Sequence, residues 1–153
     1  MTESQKKQAW ITSLRLLAAS PKSERELSRK LEEKGYDAAV IRETLQGLQQ
    51  RGILNDRAYA QTIAARSLAG RPAGIRKISF EMKKHGIPPP IQEEILSGIT
   101  PEQELERARE TGSQRWKRFA SIPIEKRKKR VYDFLIRRGF DFQIARDVLE
   151  SLE

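Results

Sequence analysis

Cysteine is absent from this chain, and histidine occurs once, at position 85. The first absence excludes disulfides, thiolate zinc sites and cysteine nucleophiles, and it fits a reducing compartment. The lone histidine sits beside Lys83 and Lys84, which repel a cation, so His85 is expected to close a helix end rather than ligate a metal or act as a base. Long apolar runs are also missing: no stretch approaches the roughly 18 residues that a membrane span needs. The opening "MTESQKKQAW" lacks the charged-then-apolar order of a secretion signal. A soluble, cytoplasmic protein with no membrane partner is expected. Gly70 and Gly74 in "AGRPAGIRK" follow no strand and match neither a P-loop nor a dinucleotide fingerprint, so they read as a loop-to-helix junction. No cofactor, metal or catalytic residue is expected. With 37% hydrophobic residues and a mean hydropathy of -0.68, the chain should fold around a thin core, as one ordinary domain or a few small packed units.

What the chain has in excess is positive charge. Thirty Lys and Arg stand against twenty-one Asp and Glu, a net +9, which favours polyanions or an acidic protein surface as partners. From Arg115 to Arg138 there are ten basic residues and two acidic ones, whereas residues 141 to 153 hold one Arg and four acids. A basic face in the C-terminal third follows.

The chain also repeats itself. "LSRKLEEKGYDAAVIRETLQGL", "ISFEMKKHGIPPPIQEEILSGI" and "VYDFLIRRGFDFQIARDVLESL" superpose without a gap, with Gly35, Gly86 and Gly139 spaced 51 and 53 residues apart. Apolar residues fall eight and four positions before each glycine and recur at helical spacing after it, as in two amphipathic helices joined at a glycine corner. The glycine supplies the left-handed residue that commonly closes a helix. Lys34, His85 and Arg138 precede it as basic caps. Asp37 and Asp141 are placed to cap the next helix, a role that Pro88, Pro89 and Pro90 replace in the middle copy. That proline triplet lacks PxxP spacing and lies in a corner that the repeat demands, so it reads as structure rather than as a docking peptide.

A further helix precedes each pair, over about residues 4 to 18, 56 to 68 and 101 to 120, with Trp10, Leu14 and Leu17, then Tyr59 and Ile63, then Leu105, Ala108, Gly112, Trp116 and Phe119 in phase. Ser23 and Glu26 form a capping-box pattern. No convincing strand appears. The fold class is therefore all-α, an elongated, curved array of three tandem three-helix repeats at residues 1–55, 56–100 and 101–153, the third carrying the basic face. Such a chain, a monomer, is better suited to lying along another polymer than to enclosing a substrate.

The candidate contact residues follow from charge and phase. In "EKRKKR", Lys126, Lys129 and Arg130, together with Arg137, lie away from the apolar Val131, Phe134 and Leu135, and Lys117 and Arg118 extend the same region. Arg71, Arg76, Lys77, Lys83 and Lys84 form a second cluster in the middle repeat. A solvated face is the plain alternative. A winged helix-turn-helix in residues 1 to 56 is disfavoured, because no wing strands follow and the would-be recognition helix "AAVIRETLQGLQQR" is nearly neutral.

In "SERELSRKLEEKGYD" with "GILNDRAYA", in "RPAGIRKISFEMKKHGI" and in "DFLIRRGFD", the chain resembles the RecX family of regulators of the RecA recombinase over nearly its whole length. Gly52, Ile53, Leu54, Asn55, Asp56, Tyr59 and Ala60 match the family pattern at the first junction. Gly74, Lys77, Ile78, Glu81, Met82, Gly86 and Ile87 match it in the second repeat, with Met in place of the usual Leu. The resemblance implies a non-enzymatic modulator, a negative regulator in most members. It would bind the groove of RecA filaments on single-stranded DNA and alter filament growth, ATP hydrolysis and strand exchange. The DNA would be met directly or through the filament. The alternative is a general DNA-binding helical-repeat or helix-turn-helix-type protein that acts without a recombinase.

Overall fold

The computed structural model describes residues 2–70 and 72–152. Among these, all regular structure is helical: α1 (Glu3–Ala19), α2 (Glu24–Glu33), α3 (Ala38–Gln50), α4 (Asp56–Ala69), α5 (Ile75–Lys84), α6 (Pro89–Ser97), α7 (Pro101–Arg118), α8 (Ile124–Arg137) and α9 (Phe142–Leu152). The helices group into two compact units, Met1–Thr62 with Met82–Gln92, and Ile63–Glu81 with Glu93–Glu153. Each of α4, α5 and α6 contributes residues to both.

In the first unit Leu27, Leu31, Ile41, Leu45, Leu48 and Leu54 form the core, with Trp10, Leu16, Leu17 and Tyr36 packed against it. The stripe expected on α1 is shifted. Leu14 is exposed, and the buried residues of this helix are Ala9 and Ser13. The cause is close approach: a Cβ placed on Gly47 of α3 would sit 3.0 Å from the Trp10 ring. The Trp10 ring takes up the room opposite position 47, and the fully buried Ser13 hydroxyl is satisfied by the Ala9 carbonyl at 2.7 Å.

In the second unit Ala108, Val131, Leu135, Phe140, Ala145 and Val148 form the core, with Trp116 and Phe119 partly buried against it. A Cβ on Gly112 would meet Val148 at 2.7 Å, so this glycine lets α7 and α9 touch.

The three glycine corners close alike. The amide after each glycine reaches back to the carbonyl four residues before it: Tyr36 to Leu31 at 3.2 Å, Ile87 to Met82 at 3.0 Å and Phe140 to Leu135 at 3.1 Å. These are Schellman closures, and the glycines have φ of +87°, +79° and +90°. Helix starts are more varied. Ser23 and Glu26 form the expected capping box, and Thr2 with Gln5 and Thr100 with Gln103 form two more. Asp37 occupies the N-cap of α3 without a side-chain capping bond, whereas Asp141 Oδ1 accepts from the Gln143 amide at 2.9 Å.

Candidate basic interface

Helix α8 buries Val131 and Leu135 and turns its lysines and arginines outward. Five cations in a row cannot all share one face at about 100° per residue, and the structure sorts them. Arg127 is held back: its Nε and Nη2 donate to the Trp116 carbonyl at 2.9 and 2.6 Å, and its guanidinium lies 3.8 Å from the centre of the Trp116 ring. Lys126, Lys129, Arg130 and Arg137 are exposed, with the Arg130 guanidinium 5.7 Å from the Phe119 ring. Lys117 and Arg118 are exposed in the last turn of α7, where the helix macrodipole favours cations. These six residues all belong to the second unit.

The cations of the middle repeat are divided between the two units. Arg76 belongs to the second unit and pairs with Asp141 at 3.5 Å, which offsets its charge. Lys77, in the same unit, is half-buried. Lys83 and Lys84 are exposed but belong to the first unit. Arg71 lies outside the described residues.

Several charged groups that sequence reasoning passed over are structural. Glu104, 3% exposed, accepts from the Ile75 amide at 3.1 and 3.2 Å, so a carboxylate on α7 caps α5. Arg107 binds the same carboxylate at 2.9 Å and reaches the Ala73 carbonyl at 3.1 Å. Burial raises the Glu104 carboxyl above the usual carboxylate range, against the pull of the Ile75 amide and of Arg107. Asp56 acts likewise in the first unit, where Oδ1 accepts from the first amide of α2, that of Glu24, at 2.9 Å; burial raises this carboxyl too. The available signal was phase: Glu104, Ala108 and Thr111 form one helical row on α7.

His85 occupies the C-cap of α5, as expected from the repeat, but its ring is engaged elsewhere. Its Nδ1 lies 3.0 Å from Glu26 Oε2, the Ser23 hydroxyl donates to its carbonyl, and the Tyr59 ring meets it edge-on at 5.7 Å. Both residues of the Ser23–Glu26 capping box thus also hold the corner after α5. Among the described residues no cluster of three His, Asp or Glu suits a metal ion, and no helix is long and apolar enough to cross a membrane.

Three-helix units, one of which leaves a cationic helix face exposed, define a helical-repeat protein. Residues 9–48 match the family model of the first three-helix domain of RecX, and residues 102–149 match that of its third three-helix domain. The chain belongs to the RecX family. It is 32% identical over 150 residues to the regulatory protein RecX of Chlorobaculum tepidum, covering 98% of this chain and 91% of that one. The regulatory protein RecX of Streptomyces coelicolor is 28% identical over 147 residues, 95% of this chain and 78% of that one. In fold, the crystal structure of RecX from Lactobacillus salivarius superposes with a TM-score of 0.90 at 18% identity, over 99% of this chain and 98% of that one.

Proposed function

We propose that this chain is a non-enzymatic, cytoplasmic regulatory protein, a monomer built of the three repeats 1–55, 56–100 and 101–153, that acts negatively on the RecA recombinase. It binds the groove of RecA filaments on single-stranded DNA and alters filament growth, ATP hydrolysis and strand exchange. Membership of a family whose relatives are named regulatory proteins supports the role. The observation that carries the contact assignment is the exposed α8 face of Lys126, Lys129, Arg130 and Arg137, with Lys117 and Arg118 on α7. Lys83, Lys84 and Arg76 are secondary contacts in this reading, as are Lys77 and Arg71.

Adding the protein to RecA filaments while following ATPase and filament length tests partner and sign together. A fall in both is expected. Joint replacement of Lys126, Lys129, Arg130 and Arg137 by Glu should weaken filament binding about tenfold or more, since like charges then face an anionic partner. Unchanged affinity with retained helicity removes this face from the contact. The same cations suit DNA phosphates without a recombinase. That second reading requires naked single-stranded DNA to bind with a log-log salt slope of about -0.7 per phosphate contacted.

A further inference from the structure

Helix α1 carries two apolar rows, and the fold of the first unit uses one of them. Trp10, Leu16 and Leu17 pack against the core, and Ala9 and Ser13 are buried. The second row faces solvent. Ile11 is 46% and Leu14 38% exposed, and the exposed Ala18 continues the row one turn on. At about 100° per residue, positions separated by three and seven share one side of a helix, so these three side chains form a strip along its axis.

Cations border this strip. Lys7 and Arg15, both exposed, stand one turn before and one turn after Ile11 on the same face. Arg51, exposed at the C-cap of α3, has its guanidinium 5.0 Å from the centre of the Trp10 ring, and Trp10 lies one turn before Leu14. The one acid of α1, Glu3, sits in the first turn, 3.7 Å from Lys6. Single exposed apolar side chains are ordinary on a protein surface, but a row at helical spacing with a rim of one charge sign marks an interaction face.

We propose that this row docks a helical segment of a protein partner, one with apolar residues along one side and carboxylates along its edges. Such a helix presents a straight apolar ridge to Ile11 and Leu14, while its acids meet Lys7, Arg15 and Arg51. A second copy of this chain fits less well, because an isologous contact sets the same cations against each other. A nucleic-acid strand would answer the cations but not the strip, since bases stack on aromatic faces and Ile11 and Leu14 offer none. The row lies in the first unit and includes none of the cations assigned above to the filament, so it stands apart from that reading.

The test uses the full chain and a synthetic amphipathic helical peptide with Leu along one side and Glu on both edges, beside the same peptide with Lys in place of Glu. NMR titration of the amides and of the Trp10 indole is read. The Glu peptide should shift the Ile11 and Leu14 amides and the Trp10 indole, with a dissociation constant on the order of 0.1 mM, and the Lys peptide should shift none of them. Joint Ile11→Gln and Leu14→Gln places a good helix former at exposed positions. This variant should keep the wild-type melting temperature and bind the Glu peptide about tenfold or more weakly. Joint Lys7→Glu and Arg15→Glu, which leaves the apolar strip intact, should weaken binding likewise. Wild-type affinity in both variants, equal binding of the two peptides, or shifts confined to α7 and α8 overturns the docking row. If the peptide does not bind, and the glutamine variant instead abolishes self-association in sedimentation or binding to phosphatidylglycerol vesicles or oligothymidylate, the row belongs to that other occupant and the proposal also falls.

Discussion

The corners at Gly35 and Gly139 are made alike and used differently. Both close a helix with the same pair of backward hydrogen bonds, and both glycines hold φ near +90°. Around Gly35 a Cβ would meet nothing within 4 Å. At Gly139 it would lie 2.5 Å from the Lys77 amide nitrogen. The corner also makes main-chain bonds to the start of α5, from the Gly74 amide to the Arg138 carbonyl at 2.8 Å and from the Arg76 amide to the Gly139 carbonyl at 3.1 Å. The first glycine answers a local need for a left-handed residue. The second answers that need and also lets two backbones touch.

Substitution separates the two uses. Gly74→Ala should have the largest effect, because its Cβ would fall 2.2 Å from the Gly139 carbonyl oxygen, and neither backbone can yield without losing the bonds between them. A loss of about 3 kcal/mol or more is expected in denaturant unfolding. Gly139→Ala should cost nearly as much, as it adds a clash to the unfavourable φ. Gly35→Ala should cost only the left-handed penalty of about 1 to 2 kcal/mol. Equal losses at Gly35 and Gly139 would break the distinction.

Glu104 extends the comparison from backbone to side chain, since it caps the same α5 start that receives the Gly139 corner. Glu104→Ala strands the Ile75 amide and leaves Arg107 without its carboxylate, a loss of about 2 to 4 kcal/mol in the same assay. A loss below that of Gly35→Ala would show that this junction is held by the glycine backbones alone.

The sequence carried the corners because everything they need is local: a glycine, a cation before it and apolar residues at helical spacing. It carried the outward side of α8 for the same reason, since Lys126, Arg130 and Arg137 keep phase with one another and out of phase with Val131 and Leu135. It misplaced the inward side of α1, because the fully buried positions there, Ala9 and Ser13, are small, and large-residue periodicity then points to the wrong row. Glu104 shares its phase with the buried Ala108, yet it and Arg107 read as solvent-facing for a related reason. Charge in a helix normally marks the solvent side, and only the tertiary approach of the Ile75 amide makes a buried carboxylate tolerable.

The smallest effect is set by pH. Burial places the folded-state pKa of Glu104 above its unfolded value, so the ionised carboxylate detracts from stability at neutral pH, and that penalty disappears as pH falls through the folded value. Glu104→Gln keeps an oxygen for the Ile75 amide but cannot titrate. Stability of wild type relative to this variant should therefore rise on acidification across and just above the usual carboxylate range, while Gly35→Ala should follow the wild-type pH profile with a constant offset. Unfolding free energies measured in parallel across that range check the sign. A fall for wild type relative to Glu104→Gln would mean that the pull of Arg107 and the Ile75 amide outweighs burial. Glu104 would then be a stabilising ion-pair partner at the docked corner rather than a desolvated cap.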